Sequence, residues 1–209
     1  MQEPAMARPS FGYAWGMSAA VPHHVFSYRE YLERERETGL KHEFLNGQIY
    51  AMAGGTPEHA RLIAAVTIAL GRMVDPRRCR VFSSELKIRV ATTGLSTYPD
   101  VTVVGGDAMR DAEDPNALAN PRLVVEVLSP STEAYDRGEK WAHYRRLESL
   151  RAYLLVSQHP ERVELYERIP AGQGDAGAFS HRMAGRGEDL AIRCLEGVLH
   201  VDDLYLGAL

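Results

Sequence analysis

Apolar and polar positions follow two different periods along this chain, and the changes of period mark its elements. Tyr28, Tyr31 and Leu32 share one face behind Ser27, with Glu30 three residues on, which predicts a capped helix ending at Gly39. Lys41 to Met52 alternates on either side of Asn46-Gly47, a strong hairpin signal. Thr56-Pro57 then offers a cap and a first-turn proline to a helix striped by Leu62, Ile63, Val66, Leu70 and Met73, which Asp75-Pro76 ends. From Arg80 to Val90 the alternation predicts one strand, with Leu86, Ile88 and Val90 on one face and Glu85, Lys87 and Arg89 on the other. Gly94 turns the chain toward the strongly apolar run Val101–Val104, and a polar loop over 105–121 leads to a second such run, Leu123–Leu128. A helix is expected from about Tyr135 to Leu147, with Gly138 allowing it close approach to a neighbour. Strands are expected over Arg151–Ser157 and Arg162–Arg168, joined through His159-Pro160, then a Gly-rich loop over 170–178, short strands and a last turn near Asp202–Leu206.

This order predicts an α/β (α+β) domain: a mixed sheet with an antiparallel meander, one strand-helix-strand crossover with parallel pairing, and helices packed against the sheet. Residues 1–25 read as a flexible tail, with Met17 as an alternative start, and 26–209 as a single domain. A hydrophobic share of 45% and a charged share of 25% are those of a globular protein. The absence of a long apolar run argues against a membrane partner, and the N-terminus lacks the pattern of a secretory signal. Cys79 and Cys194, the only 2 cysteines, make neither a disulfide framework nor a zinc cluster, so a cytoplasmic setting is expected. A net charge of −4 gives no bulk attraction to nucleic acid, although a local basic surface can act against an acidic average.

Glu126 changes the picture, because it interrupts a run that should be buried on both faces. An unpaired buried carboxylate is costly, so it must be protonated, paired or metal-bound. Asp100 opens the other apolar strand, and if the two strands are neighbours their carboxylates converge. Two carboxylates, the Val127 carbonyl and water suit Mg²⁺, with Mn²⁺ as a substitute. The alternative is that Asp100 caps its strand and Glu126 pairs with an arginine. On the following helix Asp136, Lys140 and Tyr144 share a face, so Lys140 either meets the two acids and orients a water or forms a surface pair with Asp136.

The segments Tyr98-Pro99-Asp100-Val101, Leu123 through Thr132 and Asp136-Arg137-Gly138-Glu139-Lys140 resemble the Uma-type restriction endonuclease family of the PD-(D/E)XK nuclease superfamily, as do Lys41 through Gly47 and His59. The resemblance covers roughly residues 27 to 205. It implies a restriction-endonuclease-like core and Mg²⁺-dependent phosphodiester cleavage, with DNA as the expected partner. Asp100 and Glu126 would be the signature acids, and Glu43 would approach the metal site. Leu128 stands where the superfamily carries lysine, and the resemblance implies that Lys140 supplies it instead. His59, Glu85, Lys87, Asp136 and Tyr144 are accessory candidates, and Arg77, Arg78, Arg80 and Arg137 are candidates for phosphate-backbone contacts. A homo-oligomer, in the first place a dimer, is expected from the need to cover an edge strand. The rival reading is a non-catalytic nucleic-acid-binding or assembly protein that keeps the fold. The chain has no phosphate-binding glycine loop, zinc spacing or G-x-S-x-G elbow, and no aromatic platforms for a sugar cleft.

Overall fold

The computed structural model describes residues 24–52, 54–175 and 177–207; all but the last two residues of the expected tail, Met17 included, fall outside them. The first helix, α1 (Tyr28–Thr38), starts in a capping box made by Ser27 and Glu30 and ends at Gly39, whose φ of 66° is the left-handed conformation glycine adopts freely. Its Tyr28 and Tyr31 stack against Phe44 of strand β1 (His42–Leu45). Asn46 and Gly47, both at positive φ, turn the chain into β2 (Gln48–Ala51). Thr56 caps α2 (Pro57–Met73) as expected.

The expected strand over Arg80–Val90 is instead two strands in two sheets. The chain bends at Ser84-Glu85-Leu86, separating β3 (Cys79–Ser83) from β4 (Lys87–Val90). The face expected to be solvated is interior, with Lys87 only 4% and Arg89 only 6% exposed. Burial is tolerated because both cations are compensated. Lys87 meets Glu35 and Asp114, while Arg89 lies 3.8 Å over the Tyr28 ring and donates to the Gly94 carbonyl. Glu85 is exposed and pairs with Lys41, so Glu85 and Lys87 neither share a strand face nor pair with each other.

After β4 come β5 (Leu95–Thr97), β6 (Val101–Gly105), the short β7 (Ala117–Leu118) inside the expected loop, and β8 (Leu123–Val127). The helix expected over 135–147 is a composite: α3 (Glu133–Tyr135), a π-helical turn (Asp136–Lys140) and α4 (Trp141–Tyr144). Gly138 does not serve close packing, since a Cβ there would meet nothing within 4 Å; it lies within the π turn. Trp141 anchors this segment by stacking on Tyr153 at 5.4 Å, in a cluster with Tyr166 and Phe179. The chain closes with β9 (Ala152–Ser157), β10 (Arg162–Arg168), β11 (Phe179–Gly185), β12 (Asp189–Ile192), a 3₁₀ turn (Arg193–Leu195), β13 (Gly197–His200) and α5 (Val201–Tyr205).

A six-stranded sheet in the order β11-β10-β9-β8-β6-β3 forms the middle layer. Only its β8–β9 pair is parallel, the crossover expected from the sequence. Leu62, Val66 and Leu70 of α2 pack on one face with Val101, Val103, Val125 and Val127. On the other face Val124, Leu128, Tyr153 and Leu155 pack with Tyr144 and with Ile88, Val90 and Leu95 of a five-stranded sheet ordered β2-β1-β5-β4-β7. Strands β6 and β8 are antiparallel with Val101 opposite Val125, so Asp100, one residue earlier, reaches the Glu126–Val127 end of β8. Among the described residues no helix is long and apolar enough to cross a membrane.

Candidate active site

Strand alternation points Glu126 to the side of Val124 and Leu128, where it is 3% exposed between the sheets. Its Oε1 accepts the Tyr144 hydroxyl at 2.9 Å and the Lys140 ammonium at 3.3 Å. Among the described residues no donor reaches its Oε2. Lys140 is 6% exposed, and its Nζ lies 3.2 Å from Glu43 Oε1 and 3.1 Å from Asp136 Oδ1. Spacing along the π turn and α4 thus aims Lys140 and Tyr144 at one carboxylate. The Tyr153 hydroxyl fastens the turn to β9 by donating to the Asp136 carbonyl at 2.9 Å. Glu43 comes from β1 and is steadied by the Thr97 hydroxyl at the end of β5. Asp136 Oδ1 is buried without a hydrogen bond despite its nearness to Lys140, so that contact is an ion pair of poor direction.

Asp100 joins from the entry to β6. Its Oδ2 accepts the Val127 N–H at 2.7 Å, which ties the two acid-bearing segments together. His59, in the first turn of α2, places Nε2 2.8 Å from the Val127 carbonyl and 3.5 Å from Asp100 Oδ2. The site therefore sits where α2, β6, β8 and the π turn meet.

The electrostatics follow from burial and from an excess of acids. Burial pushes Glu126 well above the usual carboxylate range; Lys140 opposes this, and Asp136, Asp100 and Glu43 add to it. Burial alone would lower Lys140, but Glu126, Glu43 and Asp136 outweigh it and hold the ammonium charged. Asp100 raises His59, against the opposing effect of burial. Tyr144 is held neutral by burial and by the Glu126 charge, so it remains a donor.

This donor chemistry fits a divalent cation. The acids around Glu126 outnumber the one lysine among them, and among the described residues no donor reaches Glu126 Oε2. Among the described residues no three His, Cys, Asp or Glu side chains form a cage; the oxygen donors on offer where β6 and β8 meet are those of Asp100, Glu126 and the Val127 carbonyl. So few protein ligands suit Mg²⁺, which keeps several waters.

Of the residues singled out in the sequence, Glu43, His59, Asp100, Glu126, Val127, Asp136, Lys140 and Tyr144 come together here. Glu85 and Lys87 do not. Arg77 is paired with Asp75 at 3.1 Å, Arg78 with Glu196 at 3.4 Å, and Arg80 donates to the Gly106 carbonyl at 3.2 Å. Arg137 is held by Glu133 and, through two bonds of 2.9 and 2.8 Å, by Glu164. Sequence reading missed Thr97 and Tyr153. The one available signal was the polar pair Ser96-Thr97 just ahead of Tyr98-Pro99-Asp100.

Comparison with known proteins identifies the family and the fold. An uncharacterized protein of Synechocystis sp. is 40% identical over 155 residues, which cover 74% of this chain and 80% of the relative. A second from the same organism is 32% identical over 145 residues, covering 69% and 82%. The crystal structure of a "putative nuclease belonging to DUF820" from Anabaena variabilis superposes with a TM-score of 0.63 over 82% of this chain and 93% of that one; at 17% identity the likeness is one of fold. The family model Uma2, described as "Putative restriction endonuclease", matches residues 28–182, which include every residue of the site, and the chain belongs to that family.

Proposed function

We propose that this chain is a Mg²⁺-dependent endonuclease that hydrolyses phosphodiester bonds of nucleic acid, DNA in the first place. The observation that carries the reading is the environment of Glu126: a buried carboxylate with an open Oε2, in a nest whose acids exceed their lysine. A cation bound there would polarise the phosphate and lower the pKa of a bound water. Asp100, Glu126 and the Val127 carbonyl would hold it. Lys140 stays charged and lies 3.3 Å from Glu126, where its N–H groups can orient an attacking water and offset charge on the phosphate. Glu43 and Asp136 hold Lys140 in place, Tyr144 sets the rotamer of Glu126, and His59 orients the Val127 carbonyl.

The test is calorimetric titration with Mg²⁺ and Mn²⁺ beside plasmid cleavage, for the wild type, Asp100→Ala and Glu126→Ala. Metal-dependent cutting that both substitutions abolish is expected. Cutting that survives both, or absence of metal binding by the wild type, would overturn the proposal.

A further inference from the structure

A cluster of arginines lies at the opposite end of the central sheet. Arg122 immediately precedes β8 and Arg151 immediately precedes β9, and these parallel strands pair with Leu123 opposite Ala152. Arg168 ends β10, whose Glu167 pairs with the same Ala152. Backbone bonds of 2.8 Å from Arg151 N to Arg122 O and from Arg168 N to Arg151 O continue the ladder. Topology therefore sets three arginines side by side across three adjacent strand ends. Arg193, from the 3₁₀ turn, adds a fourth guanidinium to the same cavity of about 480 Å³, which the loop after β10 helps to enclose.

Arg122 and Arg168 are held in position by backbone carbonyls without being neutralised, and Arg151 and Arg193 are exposed beside them. Arg122 Nε donates to the Cys194 carbonyl at 2.8 Å. Arg168 donates to the Leu150 and Leu147 carbonyls at 2.7 and 2.9 Å, and to the Arg145 carbonyl at 3.3 Å. Among the described residues no carboxylate lies within ion-pair distance of Arg122, Arg151 or Arg168. Glu167, the buried acid of the cavity, is already engaged by Arg182 at 2.8 Å and the Cys194 N–H at 3.1 Å, and Arg193 stands 3.9 Å away. Burial lowers Arg168, and the charges of Arg151 and Arg145 lower it further, as expected where like charges crowd. Burial and Glu167 push the Cys194 thiol up to about 12, so it adds no thiolate that could serve as a counter-ion. The contrast with Arg77, paired with Asp75, and Arg137, held by Glu133 and Glu164, is direct.

We propose that this cavity binds a phosphate monoester of about mononucleotide size. Guanidinium forks match phosphate oxygens bidentately, and a dianionic terminal phosphate meets several of them at once. A volume near 480 Å³ suits a small molecule and is too small for a duplex. The site is separate from the nuclease site, because Glu126 stands four residues along β8 from Arg122, roughly 13 Å at about 3.3 Å per residue. The same chemistry has two sources, a free nucleotide or the 5′-phosphate end of a nucleic-acid strand.

The test is calorimetry without divalent cation, so that neither cleavage nor the metal site enters the readout. Inorganic phosphate, AMP, adenosine, and one oligonucleotide with a 5′-phosphate or a 5′-hydroxyl are titrated into the wild type and into Arg151→Ala/Arg193→Ala. Both substituted side chains are exposed and make no bond to a backbone carbonyl, so the variant should keep its fold, which circular dichroism checks. Phosphate and AMP should bind the wild type, adenosine should not, and affinity should fall about tenfold or more for each guanidinium removed. Tighter binding of AMP identifies a nucleotide site, and tighter binding of the 5′-phosphorylated strand identifies a strand-end site. The proposal is overturned if neither phosphate nor AMP binds, or if a folded double variant binds them as well as the wild type; equal binding of the two strands excludes only the strand-end form.

Discussion

The chain buries two lysines among acids, and their surroundings differ in one respect that separates architecture from chemistry. Lys87 is 4% exposed and meets Glu35 at 2.5 Å and Asp114 at 2.7 Å, with the Tyr31 and Tyr98 rings 5.0 and 5.6 Å away. Every carboxylate oxygen there has a donor: Glu35 takes His42 N–H, the Tyr98 hydroxyl and Lys87, and Asp114 takes Asn116 N–H, the Tyr28 hydroxyl and Lys87. Lys140 meets Glu43, Glu126 and Asp136, yet Asp136 Oδ1 lacks a hydrogen bond and, among the described residues, Glu126 Oε2 lacks a donor. A saturated ion cluster holds elements together. An unsaturated one keeps free the negative charge and lone pairs that a cation requires, at a standing cost to the fold.

The largest effect expected from this contrast is on Glu126→Gln. Cleavage should fall about 10³-fold or more, measured on supercoiled plasmid. Melting temperature without divalent cation should rise, because glutamine escapes the burial penalty and acid–acid repulsion that push the Glu126 carboxyl up, while Lys140 keeps Glu43 and Asp136. A fall would mean that Glu126 is a structural acid like Glu35. Lys87→Met should destabilise the protein by about 3–5 kcal/mol in urea unfolding, since it strands the buried Asp114 and the half-buried Glu35, yet leave Mg²⁺ affinity unchanged by calorimetry.

Lys140→Met should reduce cleavage about 10²-fold, and Mg²⁺ should raise its melting temperature more than that of the wild type. If Mg²⁺ stabilises Lys87→Met by the same increment, the two clusters are not distinct. The smallest effect concerns Glu164, a buried acid of the saturated kind. Burial acts to raise it, but Arg137, Arg162 and His181 together hold it below the usual carboxylate range. Its contribution is therefore complete above the unfolded glutamate pKa of about 4.3 and is lost as pH falls through the lower folded value. Arg137→Ala should cost about 1–3 kcal/mol at neutral pH, and the difference from the wild type should shrink in acid.

Elements whose signals are local were legible in the sequence. The Ser27–Glu30 box, the Asn46-Gly47 turn and the Thr56-Pro57 start all form as read, because a cap or a turn is decided by a few neighbouring residues. The bend at Ser84–Leu86 was not legible. Alternation reports which residues share a face but not which face is buried, and Lys87 and Arg89 are buried by partners 52 and 61 positions away, Glu35 and Tyr28. The site was half legible. Acids inside apolar runs declare their own cost, whereas Thr97 and Tyr153 look ordinary until the strands are paired. The arginine cavity was not legible either, since Arg122, Arg151, Arg168 and Arg193 follow no pattern along the chain.

What the sequence determined by itself is the chemistry on offer: a carboxylate in the most apolar run, a second after Pro99, and a lysine spaced to share a helix face with Asp136 and Tyr144. Tertiary structure decided which charges are neutralised. Ion pairing falls off within a few ångströms, and pairs such as Glu43–Lys140 and Lys87–Asp114 exist only once β1, β4 and the π turn are packed.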